Sequence, residues 1–150
     1  MRKVRRVQIT PTLDTNAYAS GDQASTLQTV KILSPTTTGG EIKLITVMDG
    51  AKQKSALDLF FFDRSVTVAS DNAAASFSDA DMVFCLGVVN VLATDYDDNA
   101  ANSIATVAVD FPCVSSIASQ PIYMAIVSRG APTYAADSLV ISIVSVLEEM

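Results

Sequence analysis

The side chains able to do chemistry in this 150-residue chain are carboxylates, two cysteines and four tyrosines; histidine is absent. Without histidine there is no Ser-His-Asp or Cys-His pair to activate a nucleophile, and the usual nitrogen ligand of zinc and copper is missing. Asp79 and Asp81, or Asp95 and Asp97, are the pairs that could serve as acid and base. The first pair fits another role better. It lies in Ser78-Asp79-Ala80-Asp81, where Ser78 can cap a helix and both carboxylates suit the positive end of one. Asp95, Asp97, Asp98 and Asn99 offer hard oxygen ligands to Ca²⁺, but the segment lacks the glycine and the distal glutamate of an EF-hand loop. Cys85 and Cys113 sit among apolar residues without CxxC spacing, so they read as buried free thiols. Tyr18, Tyr96, Tyr123 and Tyr134 could line a sugar-binding face, yet no tryptophan accompanies them. Isolated tyrosines usually pack. The one glycine pair, Gly39-Gly40, stands in a threonine-rich stretch and makes no phosphate loop. No catalysis, cofactor, metal or small-molecule substrate is expected.

Composition bounds what must hold these residues. Hydrophobic residues make up 49% and charged residues 17%, enough to fill a core and too apolar for a disordered chain. So low a charge is accounted for by a hidden oligomer interface, or by a surface rich in Ser, Thr and Asn. The net charge of −6 argues against a nucleic-acid partner. Four of the ten basic residues, Arg2, Lys3, Arg5 and Arg6, fall in the first six positions. They define a basic arm over 1–10 ahead of one domain over 11–150. With Val4, Val7 and Ile9 interleaved, the arm is either an edge strand or an extended tail, and it is either loosely docked or a reach toward an acidic neighbouring surface. No apolar signal region follows the basic start, and no run nears the ~18 apolar residues of a membrane helix. Synthesis in the cytoplasm is therefore expected, with no membrane partner.

Period-two patterning dominates the rest. Strands are expected over 27–33, 41–48, 55–62, 87–91, 103–111, 121–128 and 138–147, with a further short one at 66–69. Segment 34–40 reads as a loop. In 41–48 the apolar phase slips between Leu44 and Ile45, which suggests a bulge or burial on both sides. Asp49-Gly50 predicts an antiparallel hairpin of 41–48 with 55–62, and Pro112 is expected to end its strand. A helix of about two turns is expected near 78–85. The sum is an all-β chain, an antiparallel β-sandwich of jelly-roll type. Several strands are apolar on both faces, whereas a sandwich buries one face of each sheet. Phe60 and Phe62, and Val140, Val144 and Val146, thus belong either to the core or to a self-association surface. A homo-oligomer is expected.

Five segments also carry a resemblance. They are Tyr18-Ala19-Ser20-Gly21-Asp22; Leu57-Asp58-Leu59-Phe60-Phe61-Phe62-Asp63; Asp71-Asn72-Ala73-Ala74-Ala75-Ser76-Phe77; Ser78-Asp79-Ala80-Asp81; and Gly87-Val88-Val89. In this order they resemble a group of small tailed-bacteriophage structural proteins, over roughly 17–91. The alanine run at 73–75 and the basic N-terminus depart from that group's pattern. The resemblance implies a virion protein on the capsid surface, of decoration or cement type. It implies a homotrimer bound to the major capsid protein, with Arg2, Lys3, Arg5 and Arg6 reaching an acidic patch of the shell. A tail or head-fibre component is the alternative, and a carbohydrate-binding module is the competitor from another class.

Overall fold

Alternating apolar residues build nine strands in a computed structural model that describes residues 1–33, 37–114 and 121–149. They are β1 (Arg2–Ile9), β2 (Gln23–Val30), β3 (Thr37–Asp49), β4 (Leu57–Phe62), β5 (Cys85–Val91), β6 (Tyr96–Asp98), β7 (Ser103–Cys113), β8 (Ile122–Ser128) and β9 (Leu139–Glu149). One helical turn, α1 (Asp79–Met82), precedes β5. The strands form a five-stranded sheet, β1-β9-β3-β7-β6, and a four-stranded sheet, β2-β8-β4-β5. All pairings are antiparallel. Most connections carry the chain from one sheet to the other. That order is a jelly roll, and the all-β sandwich read from the sequence holds.

Alternate residues of both sheets meet between them. Ile45, Val47, Leu59, Phe61, Ile126 and Ile143 are fully buried there, each contributing roughly 1.5–3 kcal/mol. The slip in 41–48 is a bulge: the register of β3 shifts between Ile42 and Leu44 against both neighbours.

Other expectations change. The hairpin of 41–48 with 55–62 does not form, because β3 and β4 lie in different sheets. The Asp49-Gly50 turn instead starts a bend across the sandwich. Asp49 is buried, and its carboxylate accepts from the backbone N–H groups of Ala51 (2.9 Å) and Lys54 (2.8 Å). Pro112 lies inside β7 rather than ending it. Beyond Ala105 no described strand pairs with that side of β7, so the missing N–H leaves no ladder bond unmade. Segment 34–40 splits: 34–36 lie outside the described residues, and 37–40 begin β3. The basic segment is strand β1, paired with β9 from Arg2↔Glu148 to Ile9↔Ile141. No strand forms at 66–69. The helix is one turn, not two. Ser78 caps it as expected, its hydroxyl accepting from the Asp81 N–H at 3.1 Å.

The largest change concerns the cover over β4. Segment 63–84, between β4 and β5, folds back over the outward face of the four-stranded sheet. Phe62 is fully buried beneath it, with Val66 and Ala125. The Phe77 ring stands 5.0 Å from that of Phe60 and 5.6 Å from that of Phe62. Both faces of β4 are covered, as its sequence requires, but by this chain's own crossover and not by a partner subunit.

Candidate interaction surface

The residues that could have made a reaction centre are dispersed among structural tasks. The Asp81 carboxylate accepts from Thr67 N–H at 3.3 Å. That of Asp95 accepts from Leu92 N–H at 2.8 Å. Asp98 pairs with Lys54 at 2.9 Å, and this hydrogen bond holds its carboxyl below the usual carboxylate range. Among the described residues no three His, Cys, Asp or Glu side chains gather to hold a metal ion. Both cysteines are free thiols. Cys113 is buried, which pushes its thiol up to about 12, and Cys85 is half-buried with its Sγ 3.6 Å from the Gly87 carbonyl. Tyr18, Tyr96 and Tyr134 are buried and Tyr123 half-buried, so the tyrosines do not form an open platform.

Segments 17–25 and 71–75, by contrast, are brought together. The Asn72 N–H donates to the Gln23 carbonyl and the Gln23 N–H to the Ala73 carbonyl, both at 2.8 Å. The Ala75 N–H donates to the Gly21 carbonyl at 2.8 Å. At the centre stands Asp71. One carboxylate oxygen accepts from the Tyr18 hydroxyl (2.7 Å) and the Ser25 N–H (2.7 Å); the other accepts from the Asp14 N–H (2.9 Å). Asn72 adds a bond to the Asp14 carboxylate at 2.9 Å. Hydrogen bonds from Asn16 and Asn72 hold the Asp14 carboxyl below its ordinary value. This clasp fastens the crossover to the chain entering β2. Tyr18, 1% exposed, also stacks obliquely toward Tyr134 at 6.1 Å.

The surface with room for a partner is the outward face of the five-stranded sheet. Val140, Val144 and Val146 lie on it, half-buried by their sheet neighbours. Leu44 and Met48 of β3 stand beside them, with Ile104 of β7 38% exposed. Leu44, Met48 and Ile104 escaped sequence reasoning. The phase slip in 41–48 was the available signal for Leu44, since a bulge turns part of an apolar strand outward. Arg2 and Arg6 flank this face along β1, whereas Lys3 and Arg5 alternate to its other side. Arg2 pairs with Glu148 at 2.8 Å, and Arg6 donates to the Ser142 hydroxyl at 3.1 Å. Arg5 donates to the Ile32 carbonyl at 2.9 Å. A hollow of about 290 Å³ opens at one end of the face, floored by Val146 and rimmed by Arg2, Glu41, Lys43 and Glu148. Lys43 bridges Glu41 and Asp110 there, and these hydrogen bonds raise its pKa. The surface can bury apolar side chains and match charges; it holds no group poised for bond making.

No protein-family model matches the chain, and no curated protein matches it. Among solved structures, one of tomato aspermy virus is similar in fold, with a TM-score of 0.48 and 12% identity. That alignment covers 99% of this chain and 78% of the other. A structure of desmodium yellow mottle tymovirus aligns with a TM-score of 0.30 and 13% identity, over 100% of this chain and 90% of that one.

Proposed function

We propose that this chain is a non-enzymatic structural protein of a tailed-phage virion. In this reading it decorates or cements the capsid by binding the major capsid protein and copies of itself. The observation that supports it most is the clasp. Tyr18 and Asp71, 53 positions apart, belong to two of the segments on which the resemblance rests, and they meet in one hydrogen-bonded unit. The resemblance therefore lies in a joint physical structure and not in unrelated fragments. A jelly roll suits the role, because capsid domains are among the uses of that fold, although fold alone does not assign function.

Arg2, Lys3, Arg5 and Arg6 concentrate positive charge on one edge strand of an acidic protein. In this reading β1 faces an acidic patch of the shell. The resemblance also implies a homotrimer; self-association through a two-fold axis is the alternative to it, and the two differ in stoichiometry. The test is a cryo-electron microscopy map of particles assembled with the full chain. Density for the sandwich is expected on the capsid exterior, with the β1 edge against the major capsid protein. Changing the four basic residues to Gln is expected to remove it. Removing 1–9 outright would be a poor variant, since Ile9 is buried and Val7 packs on the core. Particles without such density overturn the proposal, and density on the tail selects the tail component instead.

A further inference from the structure

Resting on that reading, we infer that the outward face of the five-stranded sheet packs against the same face of a second copy, about a two-fold axis parallel to β3. The two faces of this molecule differ. Segment 63–84 covers the outward side of the four-stranded sheet, whereas Leu44, Met48, Val140, Val144 and Val146 belong to neither core cluster.

Strand register arranges the outward face of the five-stranded sheet in rows. Val140, Met48 and Ile104 form one. Ser142, Thr46 and Thr106 form the next, a row of hydroxyls. Val144, Leu44 and Ala108 form the third. Strand β3 is the middle of the five, so an axis parallel to it places β9 of one copy over β7 of the other. Val140 then meets Ile104, bulky Val144 meets small Ala108, and Thr46 meets its own mate. The patch is self-complementary, as an isologous contact requires.

Charge selects this axis. The β1 edge presents Arg6, with the Arg2–Glu148 pair beyond it, while the opposite side presents Asp110, bridged by Lys43. The axis along β3 sets the basic edge of each copy over the acidic edge of the other. An axis across the strands would instead stack β1 on β1, basic edge on basic edge, a like-charge arrangement. Strands about 4.8 Å apart and about eight residues long give a footprint of roughly 650 Å² before side-chain relief, on the order of the ~800 Å² per partner of a stable interface.

The test is sedimentation velocity on the full chain and three variants, each first checked for an unchanged melting curve. The parent chain is expected to dimerise at micromolar concentration. Thr46→Arg is expected to weaken that at least tenfold. Arg6→Glu and Asp110→Lys should each dimerise poorly alone, since each sets like charges together twice. Their mixture should recover the parent's dimer, since both contacts are then of opposite sign. A parent that is monomeric or trimeric, a Thr46→Arg chain that pairs as the parent does, or a mixture no tighter than its components would overturn the inference. Those failures are read in solution without a shell, so they stay distinct from failure to find the chain on particles.

Discussion

Asp71 shows how one side chain decides a fold's local geometry. Its two oxygens take three donors from the stretch 14–25, the Tyr18 hydroxyl and the N–H groups of Asp14 and Ser25. Ser25 and Asn72 hold positive φ, 67° and 62°, a conformation that costs a non-glycine residue energy and needs such bonds to persist. Asp71→Ala is expected to destabilise the chain by about 2–3 kcal/mol, because it strands buried donors. Tyr18→Phe should cost about 1.5–3 kcal/mol, the net worth of one such bond to a charged acceptor. A double-mutant cycle by urea unfolding checks this, and additive effects of the two changes would mean the bond contributes nothing. None of the clasp was legible in the sequence. Its bonds join segments without periodicity, and Asp71-Asn72 reads equally well as a simple turn. Gly40 was likewise opaque. It stood in what read as a threonine-rich loop, yet a Cβ there would collide with the Val146 carbonyl and lie 2.8 Å from Leu147 Cα. Its role is the close approach of β3 to β9.

At the scale of elements, strand phases were readable and partners were not. Period two fixes which residues share a face, so the two residue sets of β9 and the double-sided character of β4 followed from sequence, while which set of β9 turns inward did not. Pairing is a long-range choice: β3 lies between β7 and β9, both distant in the chain. An Asp-Gly turn is compatible with a hairpin or with a bend between sheets, and only the sheets' own packing decides. Strand β1 is the edge strand that was one of two readings of the basic segment, and its charges suit an edge, where they prevent pairing with other edges. The crossover is the element with the clearest energetic signature. Phe62→Ala, under segment 63–84, is expected to cost about 3–5 kcal/mol, as deletion of a fully buried ring does. Val144→Ala, on the open face of the other sheet, should cost less than ~1 kcal/mol in the isolated chain, being only partly removed from water. Equal losses for the two in denaturant unfolding would contradict the packing of the crossover on β4.

For the whole molecule, burial couples stability to alkaline pH. Tyr18, Tyr96 and Tyr134 are all held above the ordinary tyrosine value of 10.0, in each case chiefly by burial. The Cys113 thiol moves from 9.0 to about 12 for the same reason. Each group keeps its proton in the folded chain at a pH where the unfolded chain has lost it. A raised folded value means that the stability is fully present below the unfolded value and declines as pH rises toward the folded one. Unfolding therefore releases protons above pH 9.0 for the thiol and above 10.0 for the phenols, so stability falls steadily with pH there. The exposed carboxyls of Asp14, Asp98 and Asp110 have the opposite sense. Their values sit below 3.8, so their contribution is present above that pH and is lost below it. Because these groups are solvent-screened, the acid limb should be shallow. The expected profile is a plateau near neutrality, a gentle acid decline and a steep alkaline limb. Tyrosinate absorbance from Tyr18, Tyr96 and Tyr134 should rise cooperatively, together with loss of the β-sheet circular dichroism signal, as the sandwich opens. If Tyr18, Tyr96 and Tyr134 titrated smoothly near 10.0 with the sheet signal intact, these buried phenols would have to face water, and the packing of Tyr18 against Tyr134 beside the clasp would be wrong.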